Sequence, residues 1–440
     1  MPRHIHLAQY LMHSPTYHSL AMWRHPRTDR SYDWRRPELY QHIAQVCERG
    51  KLDMVFFADF NYIFDAYQGA PDMALRYAAQ TPMHDPMPLL SWMAAVTSRI
   101  GLAATCAVSN QHPYYVARLF ATLDHLSRGR VGWNVVTFAN RHETIQGTHE
   151  PQEHDRRYDR ADEFLEVCYK LWQSWDDDAL VMDREAGMFA DPTKIHRIDH
   201  VGTFFRSRGP LHVTPSPQRR PVIIQAGASG RGRDFAARHA EVIFAIQPFV
   251  EGATAYYTDM KERMAHYGRP PEACKILFGV QPFVAETASA ARDKQALHNS
   301  LVPLEGAVAH LSGSLGHDFS HTPLDAVIEP FETSRSQGIV DMYTRLAGRR
   351  LTLRDIAQMH GQSVGFPQIV GTPEQVADQL EAYYAQAGGD GFMLTMPYTP
   401  GAIEEFVALV VPVLQQRGLF RTEYTGQTLR DLLCQSTSDP

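Results

Sequence analysis

Short apolar runs alternate with longer segments of helical periodicity along nearly the whole chain. Met54–Phe57 and Val131–Val136 are runs of the first kind, whereas residues 159–172 carry apolar side chains at helical spacing. Parallel strands of one sheet must be joined by crossover connections, usually through a helix. Eight strand–helix pairs therefore predict an α/β fold, a closed (β/α)8 TIM barrel, with a doubly wound open sheet as the competing topology.

The same pattern gives the bounds of the predicted elements. We predict strands over residues 5–8, 54–57, 100–108, 131–136, 221–224, 242–246, 275–280 and 391–394. We predict helices over residues 37–50, 86–97, 114–126, 159–172, 250–267, 288–300, 372–386 and 402–417, and one more directly after the turn at 225–233.

The chain is much longer than a barrel requires. A typical barrel takes about 250 residues, and this chain has 440. We expect a single barrel domain over residues 1–440, with insertions near 60–85, 173–220 and 301–366. Within the last insertion, residues 306–325 are rich in glycine, serine and histidine, which is typical of a mobile loop.

Residues 221–245 show the most distinctive local pattern, an apolar run, a glycine-containing turn, a helical segment and a second apolar run. Gly227, Gly230 and Gly232 allow close backbone approach in that turn. Free N–H groups at a helix N-terminus beside the hydroxyl of Ser229 favour an anion, usually a phosphate. The alternative is a tight strand-to-helix turn whose glycines serve geometry alone.

Composition excludes several classes of function. The formal net charge of −7 argues against a nucleic-acid-binding surface. We expect no membrane span, because the longest apolar runs are too short. Five cysteines without a Cys-x-x-Cys motif indicate reduced thiols and a cytoplasmic protein. We expect no metal site among the 22 histidines, since His196 and His200 have i, i+4 spacing but lack the glutamate of H-E-x-x-H.

Polar residues lie where the predicted strands end. Asp59 follows the second strand, Thr105 lies in the third and Asn134 in the fourth. In barrel enzymes the active site lies at the carboxyl ends of the strands. A flat aromatic ligand with polar edges would suit these residues, because the amide of Asn134 can both donate and accept. The alternative for each is hydrogen bonding at its strand end and, for Asp59, helix capping or pairing with an arginine.

Seven segments spread over residues 23–424 carry a family resemblance. They are Trp23-Arg-His-Pro, Phe56-Phe-Ala-Asp, residues 117–131 (ARLFATLDHLSRGRV), Gly132-Trp-Asn-Val-Val-Thr, residues 154–164 (HDRRYDRADEF), the turn at 225–233 and Phe420-Arg-Thr-Glu-Tyr. Through them the chain resembles the flavin-dependent monooxygenases of the bacterial-luciferase-like superfamily. Within this superfamily, the chain resembles the branch that contains nitrilotriacetate, dibenzothiophene sulfone and long-chain alkane monooxygenases.

The resemblance implies that the barrel mouth binds FMN without a covalent bond. The residues at matching motif positions are Asp59, Thr105, Asn134 and Thr137, then His154, Tyr158, Gly227, Ala228 and Ser229. The first three would line the isoalloxazine ring. His154, Tyr158 and Ser229 would hold the phosphate with backbone N–H groups of the turn. Arg231 and Arg233 would add positive charge there or remain solvated.

The resemblance also implies a two-component reaction. A separate NAD(P)H-dependent flavin reductase would supply reduced FMN, dioxygen would add to it, and the peroxyflavin would transfer one oxygen atom to a small organic substrate. The chain itself has no nicotinamide-binding motif, because Gly230-Arg-Gly is not continued as G-x-G-x-x-G. Family members are commonly homodimers or homotetramers, which is the expectation here.

One position departs from the family pattern. In the alkane-oxidising relatives a histidine follows the Trp-Asn-Val-Val-Thr segment, where this chain has Phe138. Any acid–base group must therefore come from elsewhere or be unnecessary. The catalytic candidates are His18, Gln80, Asn110 and Asn134, with His13 and His112 nearby. Four aromatic residues could form an apolar wall of the substrate site, or they could serve packing alone: Phe60, Tyr62, Phe64 and Phe138.

Three other functions remain open on the same fold. The bound flavin could itself be cleaved, a deazaflavin could serve in hydride transfer, or the protein could bind flavin without catalysis. The match to the nitrilotriacetate branch argues against the deazaflavin version. The loops expected to set substrate specificity are residues 60–85, 138–153 and 301–330. Their apolar and aromatic content favours an aromatic or heterocyclic substrate over a polycarboxylate.

Overall fold

The computed structural model describes residues 4–109, 111–137, 153–227, 229–333, 337–345 and 348–434. Eight parallel strands in this part of the chain form a closed barrel in sequence order. They are β1 (His6–Leu11), β2 (Met54–Phe57), β3 (Gly101–Ala107), β4 (Val131–Val136), β5 (Val222–Gln225), β6 (Val242–Ala245), β7 (Lys275–Val284) and β8 (Gly391–Leu394). The barrel closes where His6 of β1 pairs with Gly391 of β8. The predicted TIM barrel is confirmed.

Helices surround this sheet and fill its connections. Numbered α1 to α15 along the described chain, they are Pro37–Arg49, Asp72–Tyr77, Met87–Ala94, Pro113–Ser127, His154–Trp172, Gly230–His239, Val250–His266, Ala288–Ser300, Leu304–Leu315, Gln337–Thr344, Leu353–Ser363, Pro373–Ala387, Gly401–Leu409, Val411–Gln416 and Leu429–Cys434. The helix predicted over 402–417 is divided at Val410 into α13 and α14, with a proline in the first turn of α14.

The start of α4 and the segment after it fix β3 and β4 against each other. Proline occupies the first turn of α4, and the ring of His112 caps it by accepting a hydrogen bond from the Tyr114 N–H. After the helix, Arg130 is only 2 % exposed. Its guanidinium donates to the carbonyl oxygens of Ser127 and Ile100, both at 2.7 Å. This arginine therefore ties together the loops that lead into the two strands.

Side-chain alternation along β4 places one polar residue inside the barrel. Trp133 packs outward on Phe120 of α4, with ring centroids 5.1 Å apart. Successive residues of a strand point to opposite faces. Asn134 consequently faces the barrel interior, opposite Thr105 of β3 in the strand register.

Two of the predicted insertions pack together over the barrel mouth. Residues from 60–85 and from 301–366 share a second hydrophobic core, which includes Phe64, Leu311 and Tyr343. Residues 306–315 of the segment predicted as a mobile loop lie instead in the buried helix α9 of this core, so the prediction was wrong for that part. Gly313 of this helix permits close packing, because a Cβ at that position would lie 2.3 Å from Cγ of Phe64.

The insertion at 173–220 is more exposed. It forms two antiparallel ribbons, Leu180–Asp183 with Met188–Ala190 and His200–Val201 with Arg206–Ser207. In the described part of the chain, no helix is long and apolar enough to cross a membrane.

The opposite end of the barrel is held by a buried ion network. Asp53, fully buried, accepts hydrogen bonds from Arg421 Nη2 at 2.5 Å and from the backbone N–H of Leu7 at 2.7 Å. Its Oδ1 also lies 2.8 Å from Nδ1 of His6. Burial alone would raise the pKa of Asp53, but Arg421 and His6 lower it to about 2. This carboxylate joins β1 to the C-terminal segment.

We expect Asp53→Asn to lower the free energy of unfolding by about 3 kcal/mol at pH 7, because Arg421 then remains buried without a counter-ion. Since the pKa of Asp53 is depressed in the folded state, its contribution is full above about pH 5 and is lost as the pH falls towards 2. Urea unfolding between pH 7 and pH 3 measures both effects.

The matched control for that experiment is Asp178→Asn, which breaks an exposed ion pair with Lys194. Exposed pairs contribute about 0–1 kcal/mol. Equal losses of stability in the two variants, or a loss in Asp53→Asn that does not change with pH, would contradict the role of the buried network.

Candidate active site

A chain of hydrogen bonds crosses three neighbouring strands at the barrel mouth. The hydroxyl of Thr105 donates to the carbonyl oxygen of Phe57 at 2.9 Å. Its oxygen must then act as the acceptor for the second contact, in which Nδ2 of Asn134 donates at 2.8 Å. This sequence of donors fixes which way the Asn134 amide points.

The carbonyl oxygen of the same amide is left without a partner. Asn134 is 4 % exposed, and its Oδ1 forms no hydrogen bond within the described part of the chain. A buried acceptor without a donor costs about 1–3 kcal/mol. The barrel mouth therefore presents a fixed acceptor for a ligand that carries an N–H or O–H group.

A cleft of about 570 Å3 begins among these strand ends. Asp59, Thr105 and Cys106 contribute to its lining, together with Met87 of α3 and Tyr115 of α4. This volume lies within the range of small-molecule sites in proteins.

Asp59 has unusual electrostatics in this cleft. Burial, reinforced by the negative charge of Asp85, raises the pKa of Asp59 to about 7. Near neutral pH its carboxyl group is thus divided between the protonated and ionised forms, so it can donate or accept a hydrogen bond.

The glycine-containing turn begins α6 as a capped helix N-terminus. The side-chain oxygen of Ser229 accepts a hydrogen bond from the Gly232 N–H at 3.1 Å. A Cβ on Gly232 would lie 2.7 Å from the phenol oxygen of Tyr158. Glycine is therefore required for Tyr158 to approach the turn so closely, and the two predicted phosphate ligands Ser229 and Tyr158 lie together there.

Gly227 is also constrained by its surroundings. A Cβ there would lie 2.5 Å from the Gly232 carbonyl oxygen, and the Gly227 carbonyl accepts a hydrogen bond from the Tyr256 hydroxyl at 2.8 Å. The turn is consequently a compact, supported structure.

The two arginines of the turn are engaged by carboxylates on neighbouring helices. Arg231 contacts Asp159 at 3.0 Å and Asp162 at 2.5 Å, both on α5. Arg233 contacts Asp259 on α7 at 2.9 Å. Both guanidinium groups are thus ion-paired while they remain partly exposed, and the aspartates neutralise much of their positive charge.

His18 lies on the opposite side of the barrel mouth. Its ring packs on Tyr10 of β1 at 4.1 Å and edge-on against Phe366 at 4.7 Å. Burial, with a smaller effect of His310, lowers the pKa of His18 to about 3. The imidazole is therefore neutral at physiological pH and can act as a donor or an acceptor without carrying charge.

Two more histidines lie near His18, and the sequence patterns did not select either. His310 of α9 lies 4.6 Å from the ring of His360 of α11, measured between ring centroids. Both ring nitrogens of His310 are buried and form no hydrogen bond with described residues. The mobile loop predicted over residues 306–325 is therefore wrong at His310, which lies on a buried helix. The helical spacing of the apolar residues in 304–315 was the signal that could have found it.

The other candidate side chains have structural partners. Gln80 donates to the carbonyl oxygen of Tyr17 at 3.2 Å, which holds the segment that carries His18. His13 Nδ1 lies 3.1 Å from the Asp85 carbonyl oxygen. The ring of His112 caps α4, as described above.

Aromatic residues after β2 form a cluster rather than separate walls. Phe60 and Phe64 stack at 5.2 Å, and Tyr62 lies 5.0 Å from Phe60. Phe64 also approaches His310, at 5.6 Å. The cluster connects the barrel mouth to the second core.

Some predicted residues cannot be placed in this way. Asn110, Ala228 and Phe138 lie outside the described residues, as does the side chain of His154. Thr137 follows β4 directly and is half-buried. Among described residues, no group of three or more His, Cys, Asp or Glu side chains could hold a metal ion.

Comparison with known proteins gives the family. Residues 18–391 match the model for luciferase-like monooxygenases. The chain is 43 % identical over 439 residues to dibenzothiophene-sulfone monooxygenase of Rhodococcus erythropolis (strain XP), covering 98 % of this chain and 96 % of that protein. It is 42 % identical over 424 residues to nitrilotriacetate monooxygenase component A of Aminobacter aminovorans, covering 93 % and 92 %.

A solved structure agrees with these matches. The crystal structure of a riboflavin lyase with modified FMN and substrate riboflavin superposes with a TM-score of 0.90 at 34 % identity, covering 99 % of this chain and 96 % of that one. With a family match over most of its length and relatives similar end to end, this chain belongs to the luciferase-like monooxygenase family and is a flavin-dependent monooxygenase.

Proposed function

We propose that the protein is the oxygenase of a two-component system, which uses reduced FMN and dioxygen to oxygenate a small organic substrate. A separate NAD(P)H:flavin reductase would supply the reduced FMN. The name of one relative, component A of a monooxygenase, supports a division of the activity between proteins.

The assignment of FMN as cofactor rests on one observation. The Oδ1 atom of Asn134 is fixed and unpaired, and it lies near a capped helix N-terminus. Asn134 of β4 pairs in register with Ile224 of β5, the strand that leads into the glycine turn. Two adjacent strands would thus bind the two parts of one ligand, a ring N–H at β4 and a phosphate at the turn after β5. FMN carries both groups.

The residues divide into two sets around such a cofactor. Asn134 would accept from a ring N–H, with Asp59, Thr105 and Thr137 beside the ring. Ser229, Tyr158 and His154 would donate to the phosphate, with backbone N–H groups between Gly227 and Gly230. FMN supplies, when bound in its reduced form, the two electrons and the ring that reacts with dioxygen.

The chain itself would provide an uncharged and dry surrounding. His18 and His310 are both neutral, because burial lowers the pKa of each to about 3. His310 lies on α9 and His18 packs on Tyr10 of β1, and both rings would bind substrate by hydrogen bonds and exclude water. Asp59, with a pKa of about 7, is the group able to hold or release a proton at its carboxyl oxygen.

We propose an aromatic or heterocyclic substrate. The cluster of Phe60, Tyr62 and Phe64 offers ring surfaces next to His310. A relative 43 % identical to this chain is named for an aromatic sulfone. Dibenzothiophene sulfone is accordingly the first compound to test.

The test is aerobic turnover with 18O2, a separate flavin reductase, NADH and FMN, followed by mass spectrometry of the substrate. We expect one 18O atom in the product, with the second oxygen atom of O2 released as water. Peroxide release without any oxygenated product, over a panel of sulfur, amine, aromatic and alkane compounds, would contradict the proposal.

A second candidate function is cleavage of the flavin itself, which the similarity to a riboflavin lyase favours. The same experiment separates the two functions. Enzyme-dependent loss of the isoalloxazine ring from added riboflavin, with no oxygenated organic product, would identify a lyase.

We expect Asn134→Leu to weaken FMN binding about tenfold or more, because the substitution removes the buried acceptor while it keeps the side-chain size. Thr105→Val removes only the hydroxyl that orients the amide, and we expect about a threefold loss. Fluorescence titration with FMN measures both. An unchanged affinity of Asn134→Leu for FMN would show that Asn134 does not contact the flavin ring.

Ser229→Asp and Ser229→Asn form a matched pair, since both residues cap a helix well but only one is charged. We expect FMN affinity at least about tenfold lower for the aspartate variant than for the asparagine variant, because a carboxylate would face the phosphate. Riboflavin, which lacks the phosphate, should bind both variants equally. A phosphate site elsewhere would instead give equal FMN affinities for the pair.

A further inference from the structure

A second cleft lies beside the barrel mouth, in the segment that follows β1. Its volume is about 520 Å3. Four aromatic residues contribute to its lining, Tyr17, Trp23, Tyr32 and Trp34. Trp23 is 44 % exposed, so its ring is accessible to a ligand in the cleft.

The charges around this cleft balance. Two aspartates and two arginines line it, Asp29, Asp33, Arg30 and Arg35. Arg35 and Asp33 satisfy each other through two hydrogen bonds of 2.9 Å. The carboxylate of Asp29 accepts from the Ser31 N–H at 2.9 Å. A lining without net charge favours a neutral ligand, because neither sign gains from entering it.

A buried polar group in the lining is left without a partner. Tyr17 is 2 % exposed, and its hydroxyl forms no hydrogen bond with described residues. Thr399, which also lines the cleft, is a polar neighbour of that hydroxyl. Burial raises the pKa of Tyr17 well above its ordinary value, so the phenol stays protonated and can donate.

We propose that this cleft is a second ligand site, which takes a neutral, planar aromatic molecule bearing a hydrogen-bond acceptor such as a sulfone or carbonyl oxygen. The ligand ring would lie against the aromatic side chains, and its oxygen would accept from the Tyr17 hydroxyl. The site is distinct from the flavin residues and does not depend on the proposed function.

The cleft and the barrel mouth are separated by a single segment of chain. Tyr17 lines the cleft, whereas the next residue, His18, packs on Tyr10 and Phe366 at the mouth. Gln80 holds this segment by donating to the Tyr17 carbonyl oxygen. An aromatic molecule bound in the cleft would thus wait one residue away from the neutral histidines.

The test is isothermal titration calorimetry of the full-length, flavin-free protein with dibenzothiophene sulfone, which is neutral, planar and rich in acceptor oxygen. We expect Tyr17→Phe to bind about fivefold to tenfold more weakly, for the loss of one hydrogen bond. Trp23→Ala should bind at least about tenfold more weakly, for the loss of an aromatic wall. Thermal melts check that the variants fold.

Trp92→Ala is the matched control, because Trp92 is 56 % exposed and does not line this cleft. It should bind as the unaltered protein does, and so should Asn134→Leu and Ser229→Asp. Failure of the flavin assays would leave these results unaffected. The proposal is overturned by the absence of measurable binding at the solubility limit, or by Tyr17→Phe and Trp23→Ala binding as tightly as Trp92→Ala.

Discussion

The hydrogen bond from Asn134 to Thr105 is the contact on which the site depends. The Thr105 hydroxyl is already committed as a donor to Phe57, so it can only accept from the Asn134 amide. The amide oxygen is thereby turned away from its strand neighbours and left unpaired in a buried position. A ligand that donates to this oxygen would offset the cost of leaving it unpaired.

Two parts of the chain far apart in sequence make the rest of the mouth. The glycine turn before α6 brings Ser229 and Tyr158 together, and the second core brings histidines of α9 and α11 towards His18. The first region is rich in donors for an anion, whereas the second is neutral and apolar. Such a division suits a cofactor with a charged tail and a reaction that must be protected from water.

Much of the fold could be predicted from the sequence, since β2, β4, β8 and α8 have the predicted bounds. These elements have strong apolar periodicity and clear end signals. The helix over residues 306–315 was not predicted, because glycine and serine there permit close contact with neighbours such as Phe64, and composition does not distinguish such packing from mobility. The pairing of Arg231 with α5 was also hidden, because it depends on helices brought together by the barrel.

The type of residue at the site could be predicted, but its orientation could not. Sequence gives an asparagine at a strand end, whereas only the register of β3 and β4 shows which atom of its amide is free. A neutron diffraction structure of the FMN complex would test this most directly, since it distinguishes the amide N–D group from the oxygen. We expect Nδ2 of Asn134 to donate to Thr105 and Oδ1 to accept from a ring N–H of the flavin. An amide rotated with its oxygen towards Thr105, or a flavin bound away from β4, would contradict this expectation.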